Sequence, residues 1–169
     1  MALSNYERML QLASDTFAVQ NDPQQLNINE SVIEQLQCLH PSTLSEYSTP
    51  QGPASWVLLI PTTREIMDAF LGGTISEKEL LDKTPPGTPC RALYLCSAMT
   101  LPEFRNQGLT KKIALRAIEQ VRKTFPIEVL FVWNFSPEGA WLARSLSKAT
   151  GLPLLEKNHE SNIREAPPI

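Results

Sequence analysis

The residues with the most chemical content lie between Thr100 and Lys112, where an apolar run gives way to a basic, amphipathic segment. This stretch reads as a short loop joining a buried strand to the start of a helix. The first backbone N–H groups of a helix have no partner inside it. With the helix dipole, they favour an anion at that corner. Gly108 has no Cβ and lets the backbone approach a ligand closely. Each charge-assisted hydrogen bond made there contributes about 1.5–3 kcal/mol, so several together hold a pyrophosphate. The charge distribution agrees with a small anion rather than a polymer. The chain is net −3, whereas nucleic-acid modules carry a basic excess. Yet residues 101–125 set Arg105, Lys111, Lys112, Arg116, Arg122 and Lys123 against only Glu103 and Glu119. The plainer reading of that cluster is a solvated helix face.

Pro102, Arg105, Gly108 and Thr110 stand in the order Pro-Glu-Phe-Arg-Asn-Gln-Gly-Leu-Thr. This resembles the signature of the GNAT acetyltransferase superfamily: an Arg or Gln, two residues, Gly, one residue, then Gly or Ala. A proline three residues before the Arg is common there. The resemblance covers residues 91–155 and implies a GNAT-like three-layer α/β fold of mixed α+β character, its central mixed sheet flanked by helices. It implies transfer of an acyl group, acetyl in the first instance, from acetyl-CoA or another acyl-CoA to an amine on a small molecule or peptide. Backbone groups of Met99, Thr100 and Leu101 would pair with the pantetheine arm like an added strand. The amides of Arg105, Asn106, Gln107, Gly108, Leu109 and Thr110 would hold the pyrophosphate. Asn134, at the end of the next strand, would lie near the pantetheine.

The sequence departs from the family's pattern in three places. Thr110 stands where Gly or Ala is usual. Arg64–Asp82 reads as helical where the family places a hairpin, so the N-terminal half is atypical. No tyrosine follows Tyr94, although family members often use one as the general acid for the leaving thiolate. Trp141, Ser145 and Ser147 occupy that neighbourhood. The alternative reading is therefore a catalytically degenerate CoA-binding regulatory or interaction module.

No catalytic base can be assigned from the sequence. Glu103 reads as a solvated loop acid and Glu65 as a helix-capping residue. Tyr94 reads as core, and Ser97 is open between core and substrate. Cys96 reads as a small buried residue, since no histidine signal accompanies it. His40 and His159 are isolated, which argues against a metal site. Trp56, Trp133 and Trp141 read as core, Trp141 with a second possibility beside the acceptor.

These residues need elements to position them. Apolar spacing predicts helices over Leu3–Val19 and Leu109–Phe125. Ser31 with Glu34, Thr62 with Glu65, and Ser76 with Glu79 read as starts of short helices. Ser136-Pro137 opens a helix that Gly151 closes. Ser55–Ile60, bounded by Pro53 and Pro61, and Arg91–Thr100, Ile127–Trp133 and Leu152–Leu155 read as strands, the first three buried. Pro41–Pro53 reads as a loop. The chain is expected to be one domain over 1–169, with a helical, variable half (1–83), a CoA-binding half (91–155) and a mobile tail (157–169).

Composition sets the class. With 169 residues, 42% hydrophobic and 20% charged, the chain has material for a core. Cys38, Cys90 and Cys96 are odd in number and lack CxxC spacing, which disfavours disulfides and zinc and fits a reducing cytoplasm. No segment reads as a signal sequence or a membrane helix.

Overall fold

The structure, a computed structural model, describes residues 2–17, 26 and 29–158. In chain order the elements are α1 (Asn5–Phe17), α2 (Glu30–Leu39), β1 (Leu44–Thr49), β2 (Gly52–Thr62), α3 (Arg64–Leu71) and α4 (Glu77–Asp82). Then follow β3 (Ala92–Thr100), a 3-10 turn (Pro102–Phe104), α5 (Leu109–Thr124), β4 (Val129–Asn134), α6 (Pro137–Thr150) and β5 (Leu154–Asn158). The strands form one mixed sheet in sequence order. β1, β2 and β3 are antiparallel neighbours, while β3, β4 and β5 run parallel. Helices cover both faces, so the molecule is a mixed α/β fold.

The strand alternation sorts the side chains between two cores. Leu93, Leu95, Leu130 and Val132 meet Ile113, Ala117 and Val121 of α5 and Ala143 and Leu146 of α6. Tyr94, Ile60, Phe131 and Trp133 face the other way, against Leu36 of α2, Met67 and Phe70 of α3, and Leu80 and Leu81 of α4. Tyr94 stacks on Phe131 with centroids 5.0 Å apart, and Phe70 lies 5.1 Å from Tyr94. Such ring pairs contribute about 0.5–1.5 kcal/mol beyond the area they bury. α1 packs against β2 and β3.

Local signals placed most elements. Ser4 and Glu7 bond reciprocally at the start of α1, and Ser76 and Glu79 do so at α4. Ser136 caps α6, and Gly151 closes it in the left-handed conformation. Other expectations are corrected. Asn29, not Ser31, caps α2, its side chain accepting from the Val32 amide. Thr63, not Thr62, caps α3, and the Thr62 hydroxyl bonds Thr84 instead. Pro41–Pro53 is not a loop throughout, since β1 and the start of β2 lie in it. Val19 and His159–Ile169 fall outside the described residues, and Lys157 and Asn158, assigned to the tail, belong to β5.

β2 also runs through the two prolines expected to bound it. The Leu59 amide bonds the Thr43 carbonyl, on the β1 side. Main-chain direction repeats every second residue, so Pro61 also turns its nitrogen to that side, where β1 pairing has ended at Leu58. A proline costs no ladder bond there. Among the described residues no helix is long and apolar enough to cross a membrane.

Candidate functional site

β3 and β4 pair only from Ala92 with Val129 to Leu95 with Val132. Beyond that point β3 continues from Cys96 to Thr100, and β4 from Trp133 to Asn134, without pairing. The two strands therefore part, and a cleft of about 1130 Å³ opens between them. Its lining includes Ala98, Thr100, Gly108, Thr110, Asn134 and Trp141. Leu95 is 8% exposed, whereas Cys96, Ser97, Ala98 and Met99 are all partly exposed. This change marks the floor of the cleft, and it corrects the expectation that the whole strand is buried on both faces.

The open edge of β3 carries particular groups. The Leu101 amide bonds the Ala54 carbonyl of β2 at 2.9 Å, and Ser55 Oγ donates to the Met99 carbonyl at 3.2 Å. Met99 and Leu101 thus turn their main-chain groups to β2. By alternation Ala98 and Thr100 turn theirs to the cleft, and Arg105 Nε donates to the Thr100 carbonyl at 3.0 Å. Of the three residues expected to pair with an extended ligand, only Thr100 faces it. Ala98 is the residue that the sequence did not single out.

The loop then builds an anion corner. The Arg105 amide bonds the Pro102 carbonyl at 3.3 Å. Lys112 is the first residue of α5 whose amide has a backbone partner, the Gly108 carbonyl. Between them the amides of Asn106, Gln107, Gly108, Leu109, Thr110 and Lys111 have no acceptor among the described residues. An isolated helix start leaves four such groups; here the loop adds to them. Asn106 and Gly108 hold φ of 63° and 70°, and a Cβ built on Gly108 meets nothing within 4 Å. Left-handed residues in a tight turn gather successive amides into an anion-binding concavity. The side chains of Arg105 and Lys111 also line the cleft.

Hydroxyls fix this corner to the sheet. Thr110 Oγ1 bonds Thr100 Oγ1, which in turn bonds Ser55 Oγ at 2.8 Å. The Thr110 hydroxyl is thus engaged within the protein. On the outer side Glu103 forms a bidentate pair with Arg8 of α1, at 2.5 and 2.7 Å. That pair holds the Glu103 carboxyl down to about 2. Glu103 is therefore a paired acid rather than a merely solvated one. Gln107 Nε2 donates to the Glu103 carbonyl. Asn134 lines the cleft from β4, and its Nδ2 donates to Glu156 Oε1 of β5 at 3.0 Å.

Other candidates fall elsewhere. Glu65 lies exposed in the first turn of α3. Trp133 is buried and Trp56 partly so, the latter edge-on to Tyr6 at 6.0 Å. Trp141 is 67% exposed and lines the cleft, which overturns its reading as core; α6 buries Ala143 and Leu146 instead. His40 is buried at the end of α2, bonded to Thr124 Oγ1 and to the Ser42 amide. Cys96 is not fully buried, because it stands at the floor of the cleft. Glu77 was missed. It begins α4 at 6% exposure, its Oε1 accepting from the Tyr94 hydroxyl at 2.7 Å and the Cys96 thiol at 3.2 Å. An acidic residue after a capping serine reads as a dipole partner in solvent, so the sequence carried no sign of its burial.

No protein-family model matches the chain, and no curated protein matches it.

Proposed function

We propose that the chain is an acyl-CoA-dependent N-acyltransferase of GNAT type, transferring an acyl group, acetyl in the first instance, to an amine on a small molecule or peptide in the cytoplasm. One observation carries the reading: six successive amides without acceptors stand beside the place where two parallel strands part. A diphosphate suits the amides of Asn106–Lys111, with Arg105 and Lys111 adding positive charge. The cleft-facing groups of Ala98 and Thr100 suit an extended chain that carries amides of its own, as a pantetheine arm does. An amine attacking a thioester needs the carbonyl polarised. A backbone N–H on this open edge, at Ala98 or Thr100, supplies that polarisation. Holding both reactants in one cleft contributes the remaining large share.

Calorimetry with CoA, followed by acetyl-CoA turnover with a panel of primary amines, tests the reading. Saturable CoA binding and amine-dependent thiol release are expected. Failure of CoA to bind refutes it. The exposed Trp141, at the place where a tyrosine acid is often found in the resembling family, favours a second reading: a CoA-binding module without transfer. That reading predicts binding with no thiol release from any amine.

A further inference from the structure

The floor of the cleft holds a thiol and a buried carboxylate in contact. Cys96 is the first residue of β3 past its last pair with β4. It is also the residue left over where the β2–β3 register shifts: Leu58 faces Ser97 and Leu59 faces Leu95. Such a bulge re-aims a side chain. Here the Cys96 side chain lines the cleft while its Sγ–H donates to Glu77 Oε1 at 3.2 Å. Glu77 Oε1 also accepts the Tyr94 hydroxyl, and Oε2 accepts the Leu26 amide. Donors arranged in this way hold a carboxylate ionised despite burial. Burial, and then the charge of Glu77, push the Cys96 thiol well above its ordinary range. At rest the pair is a thiol pointing from the cleft toward a base. The other titratable side chains lining the cleft belong to different elements: Arg105 to the loop, Lys111 to the start of α5 and Glu138 to the start of α6. Cys96 alone among them stands where the strands part.

We propose that Cys96 and Glu77 form the proton-transfer pair of the acyl-transfer site, with Cys96 touching the reacting atoms and Glu77 acting through it. The proposal rests on the acyl-CoA reading above. As the amine nitrogen bonds to the thioester carbon, Cys96 Sγ takes the surplus proton on a lone pair and passes its own proton to Glu77 Oε1. As the carbon–sulfur bond breaks and its electron pair leaves on sulfur, Cys96 gives a proton to that sulfur. It recovers the proton held on Glu77. The carbonyl reforms, the pair returns to thiol and carboxylate, and the proton lost by the amine resides on the released thiol.

Bromoacetyl-CoA tests this without knowledge of the acceptor. Its electrophilic carbon lies where the acyl group would be. Alkylation forms a bond to Cys96 Sγ, expels bromide and sends the thiol proton to Glu77. Peptide mass spectrometry of the full chain then compares Cys96 with the exposed Cys38 and the buried Cys90. A bound electrophile gains effective concentration, so Cys96 is expected to react at least about tenfold faster than Cys38, with excess CoA suppressing the reaction. Glu77→Gln should slow labelling of Cys96 about tenfold, as loss of a general base does, while CoA still raises the melting temperature as in the wild type. If CoA raises the melting temperature but label falls on Cys38 or nowhere, the proposal is overturned and the acyl-CoA reading stands. Wild-type labelling of Cys96 in a folded Glu77→Gln variant also overturns it. Should that variant not melt cooperatively, the wild-type preference for Cys96 over Cys38 decides alone. Absence of both CoA stabilisation and CoA-protected labelling overturns the proposal and the reading beneath it.

Discussion

Gly108 separates the effects of shape and charge at the anion corner. Its φ is 70°, and an added Cβ would meet nothing within 4 Å. Any L residue there carries left-handed strain of about 1–2 kcal/mol, so Gly108→Ala and Gly108→Glu should both fold, with melting temperatures lowered alike. Binding should divide them. A carboxylate held about 4 Å from a phosphate charge costs about 4 kcal/mol at an effective dielectric of about 20. That is nearly a thousandfold in Kd, at about 1.4 kcal/mol per decade. Calorimetry with CoA should therefore show a modest loss in the alanine variant and a loss approaching about a thousandfold in the glutamate variant. Raising the salt should narrow the gap, because exposed charges are screened within about 3 Å at 1 M. Equal affinity of the two variants would refute the placement of a diphosphate at these amides. So would an alanine variant as weak as the glutamate one, since strain rather than charge would then control binding.

Three further outcomes are expected. Thr100→Val removes the link between Ser55 and Thr110 and should cost about 1–3 kcal/mol in denaturant unfolding. Combined with Thr110→Val it should cost less than the sum, by at least about 0.5 kcal/mol, because the two hydroxyls share a bond. Burial holds the His40 imidazole below its ordinary 6.5, so the unfolded chain binds the proton more readily. Stability should be full above pH 6.5 and fall as the pH drops below it, and His40→Gln should flatten that slope in unfolding measured across this range. Arg8 holds the Glu103 carboxyl at about 2 against an ordinary 4.5. The pair's contribution is present above 4.5 and lost as the pH falls toward 2, and Arg8→Ala should return the Glu103 titration to near 4.5 by carbon-detected NMR.

The sequence by itself determined the elements whose signals are local. α5 announced itself because Leu109, Ile113, Ala117 and Val121 recur at the helical period, and α6 because Ser136, Pro137 and Gly151 each act within a turn of their own position. The loop before α5 was legible for the same reason: a glycine ahead of a helix start has the same consequence for backbone amides in any fold. The β1–β2 hairpin was not legible, because its polar strand lies at the sheet edge and half of it faces water, leaving a composition like that of a loop. Only the tertiary structure decided where β3 and β4 cease to pair, and hence that Cys96 meets the cleft, that Ala98 and Thr100 rather than Met99 and Leu101 present their backbone to it, and that Trp141 is exposed. It also brought Glu77 beneath Cys96 from 19 residues away. Strand register and the approach of distant side chains depend on how two cores fill, and that depends on all the packed residues together, so no short stretch of sequence carries it.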